Sequence, residues 1–139
     1  MADEAAWALE AVGRAGQVTV EVLAGAEGRV LSIDTPGWAL DFRLPDEGVD
    51  QLATFLRAHA GRAEHAECVA GSFLGHPVRL VNDCEFTDRL WLRVCGEGQL
   101  AEFPLIGEVA KWFAAAVAEV AGGAEQDAEL STSPDRGGT

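Results

Sequence analysis

Segment 17–23 (QVTVEVL) sets Val18, Val20 and Val22 against Thr19 and Glu21, the two-residue alternation of a strand with one buried face and one wet face. A small-residue turn over Ala24–Gly28 leads to a hairpin partner at Arg29–Asp34. Thr35-Pro36-Gly37 then turns into a third strand, where Trp38, Leu40, Phe42 and Leu44 alternate with Ala39, Asp41 and Arg43. Pro45-Asp46-Glu47 opens a helix, because proline suits a first helical turn and acids complement the helix dipole. Val49, Leu52, Phe55, Leu56 and Ala60 follow at helical spacing, and Gly61 stops the helix.

The same order returns 61 residues later. Asp41-Phe42-Arg43-Leu44 becomes Glu102-Phe103-Pro104-Leu105, the helix over 46–60 becomes 107–121, and strands 17–23 and 28–34 fall on 78–84 and 89–95. In the second helix Ile106, Val109, Ala110, Phe113, Ala116, Val117 and Val120 form one apolar stripe. A three-strand meander and one helix cannot hide both apolar faces alone, but two such units can cover each other. The expectation is therefore an α+β fold of two β-β-β-α units, about 17–61 and 78–122. They form a curved antiparallel sheet with helices packed on one face. An Ala-rich N-terminal helix over Asp3–Gly13 and an additional strand near 67–74 complete a single domain over 1–122. Residues 123–139, rich in Gly, Ser and Thr with no apolar periodicity, read as a disordered acidic tail.

In element order, over about residues 3–122, the chain resembles the PUR and whirly-type single-strand binders, which repeat strands followed by a helix. It also resembles type III secretion chaperones, small acidic proteins, usually dimeric, ordered helix, three strands, helix, strands, helix. The first resemblance implies nucleic-acid binding on a sheet and the second implies a protein partner. Neither rests on a residue motif, so neither assigns a functional residue.

Charge bears on that choice. The chain holds 23 acids against 10 Lys and Arg, a formal charge of −13. The tail contributes −3, the first fourteen residues −2, and residues 15–122 the remaining −8, so the acidity belongs mainly to the folded part. Tight nonspecific binding to nucleic acid or anionic lipid depends on Lys and Arg neutralising phosphates, which this balance opposes. No apolar run reaches the length of a membrane span, and Asp3 and Glu4 stand where a secretion signal would be basic. Three cysteines (Cys68, Cys84, Cys95) without CxxC spacing read as reduced thiols in a cytoplasmic setting. Nine of the ten basic residues are arginine, a usage that fits a GC-rich bacterial genome.

One strand runs against this acidity. With Leu90, Leu92 and Val94 facing inward, Arg89, Trp91 and Arg93 share the other face, and Arg79 joins them from the preceding strand. Arginine stacks on aromatics and pairs bidentately with carboxylate or phosphate, so these four are candidate binding residues for an acidic peptide, a nucleotide or a stacked base. The competing structural reading has Trp91 under a neighbouring element and the arginines paired with Glu97, Glu102 or acids on the next strand. Trp7 and Trp112, both off the main apolar stripes, are candidate interface residues.

Other constellations are weaker. Asp83, Glu85 and Asp88 crowd one connection, but the loop lacks the glycine and terminal glutamate of an EF-hand and reads as a solvated turn. His59, Glu64, His65, Cys68 and His76 match no zinc-finger or HExxH spacing. GxSxG, P-loop and GxGxxG motifs are absent, so no catalytic residue, metal or cofactor is assigned. The expectation is a non-enzymatic protein-binding module, adaptor-, secretion-chaperone- or immunity-protein-like, that holds a basic protein partner. Nucleic acid and membranes are disfavoured as partners, and a homodimer through the helices is compatible. The alternative is a single-stranded nucleic-acid or nucleotide binder using Arg79, Arg89, Trp91 and Arg93. An acidic-loop metalloenzyme ranks third.

Overall fold

The computed structural model describes residues 7–46, 48–96 and 99–132. Four strands, β1 (Ala8–Ala15), β2 (Val18–Gly25), β3 (Gly28–Asp34) and β4 (Ala39–Arg43), precede α1 (Val49–His59). Four more, β5 (Ala66–Phe73), β6 (His76–Asn82), β7 (Arg89–Gly96) and β8 (Gln99–Ile106), precede α2 (Glu108–Thr132). All eight strands lie in one antiparallel sheet in chain order. The pairing is uneven. β1–β4 and β5–β8 are well-bonded halves, whereas β4 meets β5 only where Arg43 stands opposite Ser72.

The alternation read from the sequence sets the inner face. Val18, Val20, Leu31, Ile33, Leu40 and Phe42 from the first half, with Val78, Leu80, Leu90, Leu92 and Leu105 from the second, are buried. Leu52, Phe55 and Leu56 of α1 and Phe113, Val117 and Val120 of α2 close over them to form one core. α1 lies against α2 and β5, while α2 lies against β1 and β2 and also reaches β8.

Two expectations about the fold are corrected. Each unit has four strands rather than three: the additional strand near 67–74 is β5, which opens the second unit. The N-terminal helix over Asp3–Gly13 does not form over its described part, because Ala8–Ala15 is β1, paired to β2 from Ala8 opposite Ala24 to Ala15 opposite Val18. The remaining residues of that expectation, 1–6, lie outside the described residues. The physical reason is the close seat of α2 on this strand. Gly13 faces α2 so closely that a methyl group there would overlap the Ala116 carbonyl. The Arg14 N–H also donates to Glu119 Oε1 of α2 at 2.7 Å. Helical propensity is a weak preference that such packing overrides. The helix-first order that linked the chain to type III secretion chaperones is therefore absent among the described residues. α2 runs to Thr132 and takes in residues 123–132 of the expected tail, while 133–139 lie outside the described residues.

The sheet turns back on itself. Trp38, just ahead of β4, donates its indole N–H to the Pro104 carbonyl of β8 at 2.8 Å, and its ring lies 5.2 Å from that of Phe103. No helix among the described residues is long and apolar enough to cross a membrane.

Candidate functional site

Cross-strand register brings the four predicted binding residues together on the outer face of the second half. Arg79 stands opposite Arg93, Val81 opposite Trp91, Trp91 opposite Pro104, Arg93 opposite Glu102 and Arg89 opposite Ile106. Each of the four is engaged by a side chain of the sheet or of the β6–β7 connection. Arg93 Nε lies 2.8 Å from Glu102 Oε2, close enough for an ion pair though off-line for a hydrogen bond. Arg79 lies 3.7 Å from Glu67 of β5. Arg89 places its guanidinium carbon 3.9 Å over the centre of the Phe86 ring, a cation–π contact. The Trp91 indole points at Asp83 Oδ2, 3.5 Å away, and its residue is only half-exposed.

Asp83 anchors the acidic connection. Its Oδ1 accepts the backbone N–H of Glu85 at 2.7 Å and that of Phe86 at 3.3 Å. Those backbone donors, led by Glu85, hold the Asp83 carboxyl below the ordinary carboxylate range, with the Trp91 indole and Arg89 adding to the effect. Both oxygens therefore face N–H donors, and the loop is an Asx turn.

Two of the three histidines are likewise individually paired. His59 Nδ1 lies 2.7 Å from Glu64 Oε2, and His65 Nε2 lies 3.1 Å from Glu67 Oε2. Burial pushes the Cys68 thiol up to about 11. Among the described residues no three His, Cys, Asp or Glu side chains converge on a point that could hold a metal ion.

The two predicted interface tryptophans have different settings. Trp112 of α2 is half-buried and lies flat on Gly16, in the β1–β2 turn, so closely that no Cβ would fit between them. Trp7 is 45% exposed beside Gly25.

The outer face of the first half carries the charge that the sequence reading did not assemble. Glu21 stands opposite Ser32, Ser32 opposite Asp41, and Thr19 opposite Asp34. These residues surround a depression of ≈ 520 Å³, with Arg14 on one side and Ala39 on the other. Among the described residues, Glu21, Asp34 and Asp41 take part in no ion pair. Nearby acids that do have partners are Glu10, 2.7 Å from Arg29, and Glu27, 3.3 Å from Arg43. The signal was present in the alternation, since Thr19, Glu21 and Asp41 were already its polar positions. What the sequence did not show was that three strands bring those positions side by side.

The two halves of one sheet thus differ in kind. On one, Arg79 and Arg93 pair with Glu67 and Glu102 and Arg89 stacks on Phe86; on the other, Glu21, Asp34 and Asp41 take part in no ion pair among the described residues. Comparison with protein-family models, with curated proteins and with solved structures finds no match.

Proposed function

We propose that the protein is a non-enzymatic binding module whose outer sheet face over β2–β4 holds a basic protein partner. The observation that carries this reading is the set of carboxylates on Glu21, Asp34 and Asp41, exposed or half-exposed around one depression and free of ion pairs among the described residues. The three carboxylates give this face a negative potential, and a Lys or Arg from a partner forms charge-assisted hydrogen bonds with them. Thr19 and Ser32 between them add hydroxyls that accept from the same cation. The net charge of −13 steers a basic partner toward the molecule and repels nucleic acid.

The engagement of Arg79, Arg89 and Arg93 by Glu67, Phe86 and Glu102 weighs against the nucleic-acid alternative, since a phosphate would have to displace those partners. The test is capture of partners from a bacterial lysate, read by mass spectrometry. The wild type is expected to retain a basic protein that Glu21→Gln/Asp34→Asn/Asp41→Asn loses and Arg79→Gln/Arg93→Gln keeps. Retention of oligonucleotide, lost in the arginine variant, would overturn the reading.

A further inference from the structure

β4 is an inner strand by its place in the sheet, yet most of one side of it has no neighbouring strand. Past the single pair of Arg43 and Ser72, β5 ends at Phe73 and turns back through Leu74 and Gly75. The hydrogen bonds at the two ends of β4 fix which of its residues face that side. Thr35 N–H donates to the Trp38 carbonyl and Leu44 N–H to the Arg29 carbonyl. In an antiparallel ladder the N–H and C=O of one residue point the same way and alternate along the strand. Residues 38, 40, 42 and 44 therefore address β3, and the exposed Ala39 and Asp41 direct their backbone groups toward the open side.

At the Asp41–Arg43 end of that side lies a groove of ≈ 500 Å³, lined by Val30, Asp41, Arg43, Ser72, Phe73 and Leu74. Leu74 is unusual twice over. It is 85% exposed, and its φ of +51° places a leucine in the left-handed region, ahead of Gly75 at +83°. Asparagine or glycine would hold this turn without that strain, and neither would expose an apolar side chain. An exposed leucine in this conformation, beside an open strand edge, is apolar surface that a partner could cover. Arg43 does not oppose a cation there, because its guanidinium is held by the Glu27 carbonyl at 2.8 Å and the Glu27 carboxylate at 3.3 Å. Asp41 lines both this groove and the acidic depression beside it, so the apolar and anionic surfaces are continuous.

We propose that the open edge of β4 accepts an extended segment of the basic protein partner as an added strand. An apolar side chain of that segment packs on Leu74, and a cationic one reaches Asp41 and Asp34. This deepens the binding reading above and rests on it. Main-chain hydrogen bonds to Ala39 and Asp41 supply the docking, and the alternation of cationic and apolar side chains supplies the selection. A second copy of this chain fits poorly, since its own charge of −13 meets the same acids.

The experiment titrates the full-length protein at low salt with three short peptides of equal charge. One alternates Arg and Leu, one alternates Arg and Ser, and the third repeats the Arg/Leu sequence with N-methylated backbone amides that cannot donate. The Arg/Leu peptide is expected to bind about tenfold more tightly than either of the others. Leu74→Asn is expected to erase that advantage while raising Tm, a pairing that a purely structural leucine would not give. If all three peptides bind alike and Leu74→Asn changes nothing, while Glu21→Gln/Asp34→Asn/Asp41→Asn abolishes binding, the added-strand proposal fails and the acidic-face reading stands. If no peptide binds the wild type, both fail.

Discussion

Val81 is only 4% exposed although it stands on the outward face of β6, and the side chain directly opposite it is Trp91. The indole therefore covers apolar surface on a face that carries mostly polar groups. Trp91→Ala is expected to cost about 2 kcal/mol in urea unfolding, less than a fully buried tryptophan, through lost packing. Arg93→Ala removes a partly exposed ion pair with Glu102 and is expected to cost less than about 1 kcal/mol. The Arg-Trp-Arg strand was legible from its alternation with Leu90 and Leu92. Of its partners, Glu102 was among the acids the sequence offered and does pair with Arg93, whereas Glu67 was not, since Arg79 approaches it only through register, which turn lengths set. Cys68 gives a second test at this scale. Its thiol is pushed up to about 11 from 9.0 by burial, so the fold favours the neutral form. Above 9.0 the unfolded chain sheds this proton while the folded one keeps it, and the contribution to stability is lost as pH rises from 9.0 toward 11. At pH 8 alkylation is expected at the exposed Cys84 well before Cys68, read by mass spectrometry of the modified peptides.

At the level of elements, each outer strand of the sheet has a backbone group taken by another part of the chain. The Arg14 N–H on β1 is taken by Glu119 of α2, and the Pro104 carbonyl on β8 by the Trp38 indole. Proline on an outer strand forfeits no ladder hydrogen bond when its nitrogen faces away from the neighbour. Trp38→Phe leaves that carbonyl without its donor and is expected to lower stability by about 1 kcal/mol, measured by chemical denaturation. Gly13→Ala drives a methyl into the α2 backbone at Ala116 and is expected to cost about 1–3 kcal/mol by the same measurement. These contacts also explain which elements could be read in advance. β2, β3, β4, β7 and both helices announce themselves by apolar periodicity. β1 presents Ala11, Gly13 and Ala15, small residues whose alternation carries no hydrophobic signal and reads as helical alanine. It pairs with β2, and the helix that packs on it is α2, more than a hundred residues away in sequence, as the Arg14–Glu119 bond shows.

Across the whole molecule, the formal charge of −13 matters less than its distribution. Acids beside arginines are neutralised on the second half of the sheet, whereas Glu21, Asp34 and Asp41 on the first half remain available to a partner. Binding through these exposed carboxylates is expected to weaken steeply as salt rises, since the screening length falls to roughly 8 Å at physiological ionic strength. The central claim is the sign of the ligand. Titrating one preparation at low salt with oligo-arginine and with oligothymidine tests it most directly. Saturable binding of oligo-arginine, lost in Glu21→Gln/Asp34→Asn/Asp41→Asn, with no oligothymidine binding, is the predicted result. Binding of oligothymidine that Arg79→Gln/Arg93→Gln abolishes, with oligo-arginine inert, would contradict it.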